Sequence, residues 1–192
     1  ILTGIVFVGA TGFLWNALFN LYGDYLDVAK GIDAATGRLL LSVMFSAGIP
    51  AFFFTGRLAD RVRNVPLIIA IVASFSTFVV VHTFVEGVVA VGVLSLLIGY
   101  SIHSLFPAVD TFMLSSLPDQ HRASAYALFS ATMMLFQATG SGVVGTAVAR
   151  GVAYDTAFRG IAVVVAVVVS GMFVLYRTEH LPTGGEPGAV PD

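Results

Sequence analysis

The sequence predicts an all-α integral membrane protein with six transmembrane helices, and three observations predict it. Hydrophobic residues fill 57% of the 192 positions and charged residues only 10%, against about 25% charged in soluble domains. The mean hydropathy is +0.94, which implies more apolar surface than a water-soluble fold of this length can bury, so lipid must cover the remainder. The apolar residues are gathered into six long runs, at about residues 1–22, 39–55, 65–84, 88–109, 123–149 and 157–176. Each approaches the roughly 20 residues that a helix needs to cross the hydrocarbon. Barrel strands would be about 10 residues with alternating polarity, a pattern that these unbroken runs exclude.

Taken in order, the first run begins without an initiator Met or a preceding basic stretch, so it does not resemble a signal peptide and the protein is expected to continue upstream. Asp24, Asp27, Lys30 and Asp33 read as a solvated outer loop, and residues 33–37 break the chain before a short second run. Between Gly56 and Pro66 the order Gly-Arg-Leu-Ala-Asp-Arg-Val-Arg-Asn-Val-Pro forms a tight arginine-rich loop. Glu86-Gly87 separates the third and fourth runs, with His82 expected at the surface. Pro118-Asp119 precedes the fifth run, which is long enough to tilt or protrude. Asp119 is placed to cap that helix and Asp155 to cap the sixth. Residues 181–192 are rich in Pro and Gly and are expected to form a disordered tail.

Sidedness follows from the basic residues. Arg57, Arg61, Arg63, Arg122 and Arg177 fall on one side, and Lys30, Arg38, Arg150 and Arg159 on the other, five against four. The three Arg of the tight loop place that side, and both ends of the segment, in the cytoplasm of a multi-pass cell-membrane protein. A net charge of −2 without a basic stripe argues against nucleic acid as a partner. With no Cys there is no disulfide or thiolate chemistry. The four His lack the spacing of a metal site, and no cofactor motif is present. No phosphate-binding loop of the Gly-x-x-x-x-Gly-Lys-Ser/Thr kind occurs either.

The segment Gly56-Arg57-Leu58-Ala59-Asp60-Arg61 resembles the signature loop of major facilitator superfamily transporters, Gly-x-Leu-Ala-Asp-Arg-x-Gly-Arg-Arg. Arg63, Asn64 and Val65 depart from its second part, and that degraded form resembles the loop's copy in the carboxy-terminal half of such proteins. Phe106-Pro107-Ala108 through Arg122-Ala123-Ser124-Ala125 resembles the inner loop between the fourth and fifth spans of a half. The resemblance covers residues 1 to about 180. It implies six helices of a twelve-helix bundle, with a partner amino-terminal half supplied by the same chain or a second one, a small-molecule substrate held between the halves, and a proton or another coupling ion. It also implies that the protein is not an enzyme and needs no cofactor.

The resemblance further implies a gating role for Gly56, Asp60, Arg61, Arg63, Asp110 and Arg122, whose polar contacts would hold one of two conformations of near-equal free energy. Against this stands the simpler reading that Asp60 and Arg61 are solvated loop charges that only set topology. Asp110 is costly near hydrocarbon and is expected to pair with Arg61 or Arg122. His103 lies two turns before Asp110 on the same helix face. It either relays a proton or makes one hydrogen bond to a neighbouring helix. Trp15, Asn16, Asn20, His103 and Gln137 are candidates for the substrate cavity, and the amides among them must in a membrane helix be satisfied by protein, water or substrate. Helix–helix bonding is the alternative for them. The row Ser141, Gly145 and Ala149, with Ala138, Gly142 and Thr146 beside it, reads as helix packing. Two other functions remain open: a non-transporting scaffold or receptor of the same fold, and an intramembrane enzyme. For the latter, Thr139-Gly140-Ser141-Gly142 lacks the first Gly of a serine-protease motif, and the sixth span carries no His.

Overall fold

A computed structural model describes residues 2–117 and 119–178; the tail expected from residue 181 lies outside them. The described residues fold into eight α-helices: α1 (Leu2–Lys30), α2 (Ala34–Ser46), α3 (Gly48–Ala59), α4 (Asn64–His82), α5 (Val88–Ser116), α6 (Arg122–Gln137), α7 (Gly140–Ala149) and α8 (Tyr154–Arg177). A short 3-10 turn, Asp119–His121, precedes α6. Six spans result, because α2 continues into α3 and α6 into α7. The joined pairs, with α4, α5 and α8, make five stretches long and apolar enough to cross a membrane, and the 29-residue α1 runs among them. In cross-section α5 packs on α2, α3 and α4, α4 on α8, and α8 on α1, which also lies against α6, α7 and α2.

Several elements differ from the sequence expectation. The short second run is a full span of 26 residues, Ala34–Ala59, because Asp33 starts it early. The Asp33 carboxylate accepts from the Thr36 hydroxyl at 2.7 Å and from the amides of Ala35 and Thr36. The Thr36 bonds hold the Asp33 carboxyl below its ordinary range, so this cap is lost only as pH falls through the lowered value. Asp24, Asp27 and Lys30 are not in a loop; they form the last turns of α1. Gly31, at φ +64°, then turns the chain. Asp155 does not cap α8, whose N-cap is Ala153 with no side-chain bond. Nor does α6 start at Asp119: the 3-10 turn intervenes and His121 is the N-cap, again without a side-chain bond.

The two interrupted spans share a construction. Pro50 has no N–H to donate to Ser46 one turn back, and the helix breaks at Ala47 between α2 and α3. Against this break lies Gly99 of α5, where a Cβ would overlap the Met44 carbonyl. One turn on, Gly48 leaves the His103 ring room, since a Cβ there would stand 3.0 Å from it. The break between α6 and α7, at Ala138 and Thr139, lies against α1 instead. A Cβ on Gly140 would overlap the Phe13 carbonyl, and one on Gly12 the Gln137 amide. These close approaches fall at Gly12, Gly99 and Gly140, whereas Gly142 and Gly145 of the expected small-residue row have open space around them.

Overpacking a tight contact costs typically about 1–3 kcal/mol. Gly99→Ala and Gly140→Ala are therefore expected to lower the melting temperature of the detergent-purified protein clearly, while Gly142→Ala leaves it within error. Equal melting of all three variants would contradict this packing.

Candidate functional site

A cleft of about 220 Å³ opens between α1, α5 and α6. Its apolar wall is made by Trp15, Leu105, Phe106, Val109, Phe129 and the methionines Met133 and Met134, and its polar groups are Asp110, Tyr126, Ser130 and Gln137. Spacing along the helices brings these groups together. Asp110 lies four residues after Phe106 on α5, and Tyr126, Ser130 and Met133 follow one another at turns of α6, so each set shares a face. Phe106 and Met134 at the rim are 45% and 71% exposed, so the cleft is walled on one side only.

Asp110 is half-buried, and Tyr126 Oη donates to its Oδ1 at 2.6 Å. The tyrosine hydroxyl thus takes the place of the Arg61 or Arg122 expected as its partner. Arg122 instead directs a guanidinium nitrogen to the Leu117 carbonyl at 3.5 Å. Arg61 and Asp60 are exposed, and among the described residues their side chains make no hydrogen bond or ion pair. Arg63 reaches the Tyr176 hydroxyl at 3.5 Å, joining the loop after α3 to the end of α8. A Cβ on Gly56 would meet open space.

Trp15 and Gln137 line the cleft. Asn16 does not: its side-chain oxygen accepts from the Ser141 amide at 3.2 Å, at the start of α7. It therefore satisfies a donor that the break in the helix leaves free, as a membrane interior requires. Asn20 donates to the Asn16 carbonyl at 2.9 Å and is exposed. His103 Nδ1 donates to the Gly99 carbonyl of its own helix at 2.6 Å, not to a neighbouring helix. Four aromatic side chains, Trp15, Phe45, Phe52 and Phe106, surround its ring.

Sequence reasoning missed a second polar cluster, at the other end of the bundle. His82, expected at the surface, is 1% exposed. Its Nδ1 lies 3.3 Å from Tyr25 Oη and its Nε2 3.5 Å from Tyr22 Oη. Tyr22 in turn bonds Ser95 of α5. Tyr25 donates to Asp155 of α8 at 2.9 Å. Lys30, read from sequence as a solvated loop residue, has a side chain only 3% exposed. It pairs with Asp155 at 3.4 Å and donates to the Thr83 carbonyl at 2.9 Å. Arg159 donates to the Asp155 carbonyl and covers the Phe84 ring. One clue was legible: Leu18, Tyr22, Tyr25 and Leu26 recur at i, i+4, i+7 and i+8, the pattern of a buried helix face rather than a loop.

Breaking a buried charge pair leaves the remaining ion uncompensated, whereas removing both charges is far milder. Asp155 is 24% exposed, so water offsets part of that cost. Lys30→Met is expected to destabilise the protein by about 1–3 kcal/mol, and adding Asp155→Asn to recover most of it. Melting curves of the single and double variants give the test, and additive losses would exclude the coupling.

Six long helices, two of them interrupted, around a one-sided cleft with a few polar groups make an all-α multi-pass membrane bundle. The chain belongs to the Major Facilitator Superfamily, whose model matches residues 2–192. Members of this family are secondary transporters that move solutes across membranes without enzymatic conversion. No curated protein matches the chain.

Proposed function

We propose that this chain is the carboxy-terminal six-helix half of a twelve-span secondary transporter of small solutes, working by alternating access. The cleft of α1, α5 and α6, walled on one side, is the observation that carries this reading. A substrate site shared between two halves requires a surface of this kind. The degraded second part of the loop motif favours the carboxy-terminal half. In this reading residues 1–180 form the bundle and 181–192 a cytoplasmic tail, with both ends of the segment cytoplasmic. An amino-terminal half, from the same chain or a partner, covers the exposed rim. A proton or another ion gradient supplies the driving force.

Trp15, Gln137 and Asp110 are the substrate-side residues of this half. Asn16, Asn20 and His103 act one layer behind them: Asn16 holds the α6–α7 break in place, and His103 supports Trp15 and Phe106. Gly56, Asp60, Arg61, Arg63 and Arg122 form the cytoplasmic gate. The exposed charges of Asp60 and Arg61 are available to the partner half in the conformation closed to the cytoplasm. That arrangement suits a switch between states of similar free energy.

The test is solute flux into proteoliposomes containing the intact protein. Asp60→Asn and Arg61→Ala are each expected to lower flux about tenfold, the equivalent of about 1.4 kcal/mol, with membrane insertion and melting unchanged. Unaltered flux in both variants would remove the gating role. An intact native mass near twice the 20.2 kDa of this chain would support the twelve-span arrangement, and a six-span monomer that carries no flux would defeat it.

A further inference from the structure

We propose that the cleft of α1, α5 and α6 takes a small organic cation with an apolar body, held by the Asp110 carboxylate. This rests on the transporter reading above and names its substrate class. Among the described residues that line the cleft there is one carboxylate and no Lys, Arg or His. Asp110 lies six residues from the end of the 29-residue α5, about 9 Å along the helix axis, so its charge is held within the bundle. Tyr126 satisfies Oδ1, while among the described residues Oδ2 accepts no hydrogen bond and the carboxylate enters no ion pair. A charge in such surroundings favours a counter-charge.

The remaining lining fits the rest of such a ligand. Trp15 and Phe106 offer aromatic faces, which attract quaternary and other alkylammonium groups. Met133 and Met134 are unbranched and polarisable, and they adapt to apolar bodies of varied shape. Gln137 and Ser130 provide neutral polar contacts without a competing positive charge. An anionic solute would meet Asp110 with no cation to offset it, and a fully neutral one would leave Oδ2 desolvated and unpaired. Arg122, one turn before Tyr126 on α6, turns to the Leu117 carbonyl and does not line the cleft.

The experiment is equilibrium binding of radiolabelled benzyltrimethylammonium, which is permanently charged, to the detergent-purified intact protein. Neopentylbenzene, its neutral carbon isostere, serves as competitor. Saturable binding is expected, with little competition by the isostere. Asp110→Asn should weaken binding at least tenfold, and Asp110→Glu should restore it. Absence of saturable binding, equal competition by the isostere, or unchanged affinity in Asp110→Asn would each overturn the cation site. Because the isostere comparison uses the unaltered protein, it decides the matter even if an Asp110 variant fails to fold. Asp110-dependent binding without flux in proteoliposomes would keep the cation site and remove the transport reading. Flux of other solutes with no cation binding would do the reverse.

Discussion

Hydrocarbon offers no hydrogen bonds, so a backbone that leaves its helical ladder inside the membrane must find partners within the protein. The architecture here turns on that constraint. Two of the six spans are broken near their middles, and each break is cradled by a long helix that approaches it through glycine. The Gly99 turn of α5 presses on the end of α2, and the Gly12–Asn16 stretch of α1 presses on the junction of α6 and α7. Asn16 then supplies the acceptor that the Ser141 amide lost. The helices α1 and α5 are fixed by these contacts, and they also carry Trp15 and Asp110 into the cleft. The interruptions and the site are thus parts of one packing solution.

At the Lys30 end one polar set is collected inward while Asp24, Asp27, Asp33, Arg38, Glu86 and Arg150 stay exposed: Lys30, Tyr25, His82 and Asp155 join α1, α4 and α8, and Tyr22 extends the set to α5 through Ser95. At the Arg61 end Arg57, Asp60, Arg61 and Arg63 are exposed, and Arg63 reaches the Tyr176 hydroxyl of α8. Asp110 lies between these regimes, in a cleft whose other lining groups are neutral.

The fold was legible because span length and turn chemistry are local properties. Six apolar runs gave six spans, and Gly31, Asp33 and Gly87 marked turns that the structure contains. What stayed hidden depends on which residues meet. Lys30 and Asp155 are 125 positions apart, and no local pattern announces that the lysine at the end of α1 reaches the start of α8. The same holds for Asp110 and Tyr126, where the need of a carboxylate for a counter-charge favoured arginine partners but helix facing selected a hydroxyl. Pro50 and the Thr139-Gly140 pair were visible signs of interruption. Both lie inside apolar runs, and a run long enough to span hides a break within it.

The uneven distribution of ties gives the bundle a gradient of stiffness along the membrane normal. Where Lys30, Tyr25, His82 and Asp155 interlock, the helix ends are bound by bonds that only a concerted opening would release, so that end should show the slowest amide exchange. Around Asp60 and Arg61 the helices are tied by hydrogen bonds such as Thr55 to Ser104 and Arg63 to Tyr176 rather than by a buried ion pair, and can splay by small tilts about the fixed end. Small angular fluctuations at the tied end then become displacements of several ångströms at the other, since each spanning helix is a lever about 30 Å long.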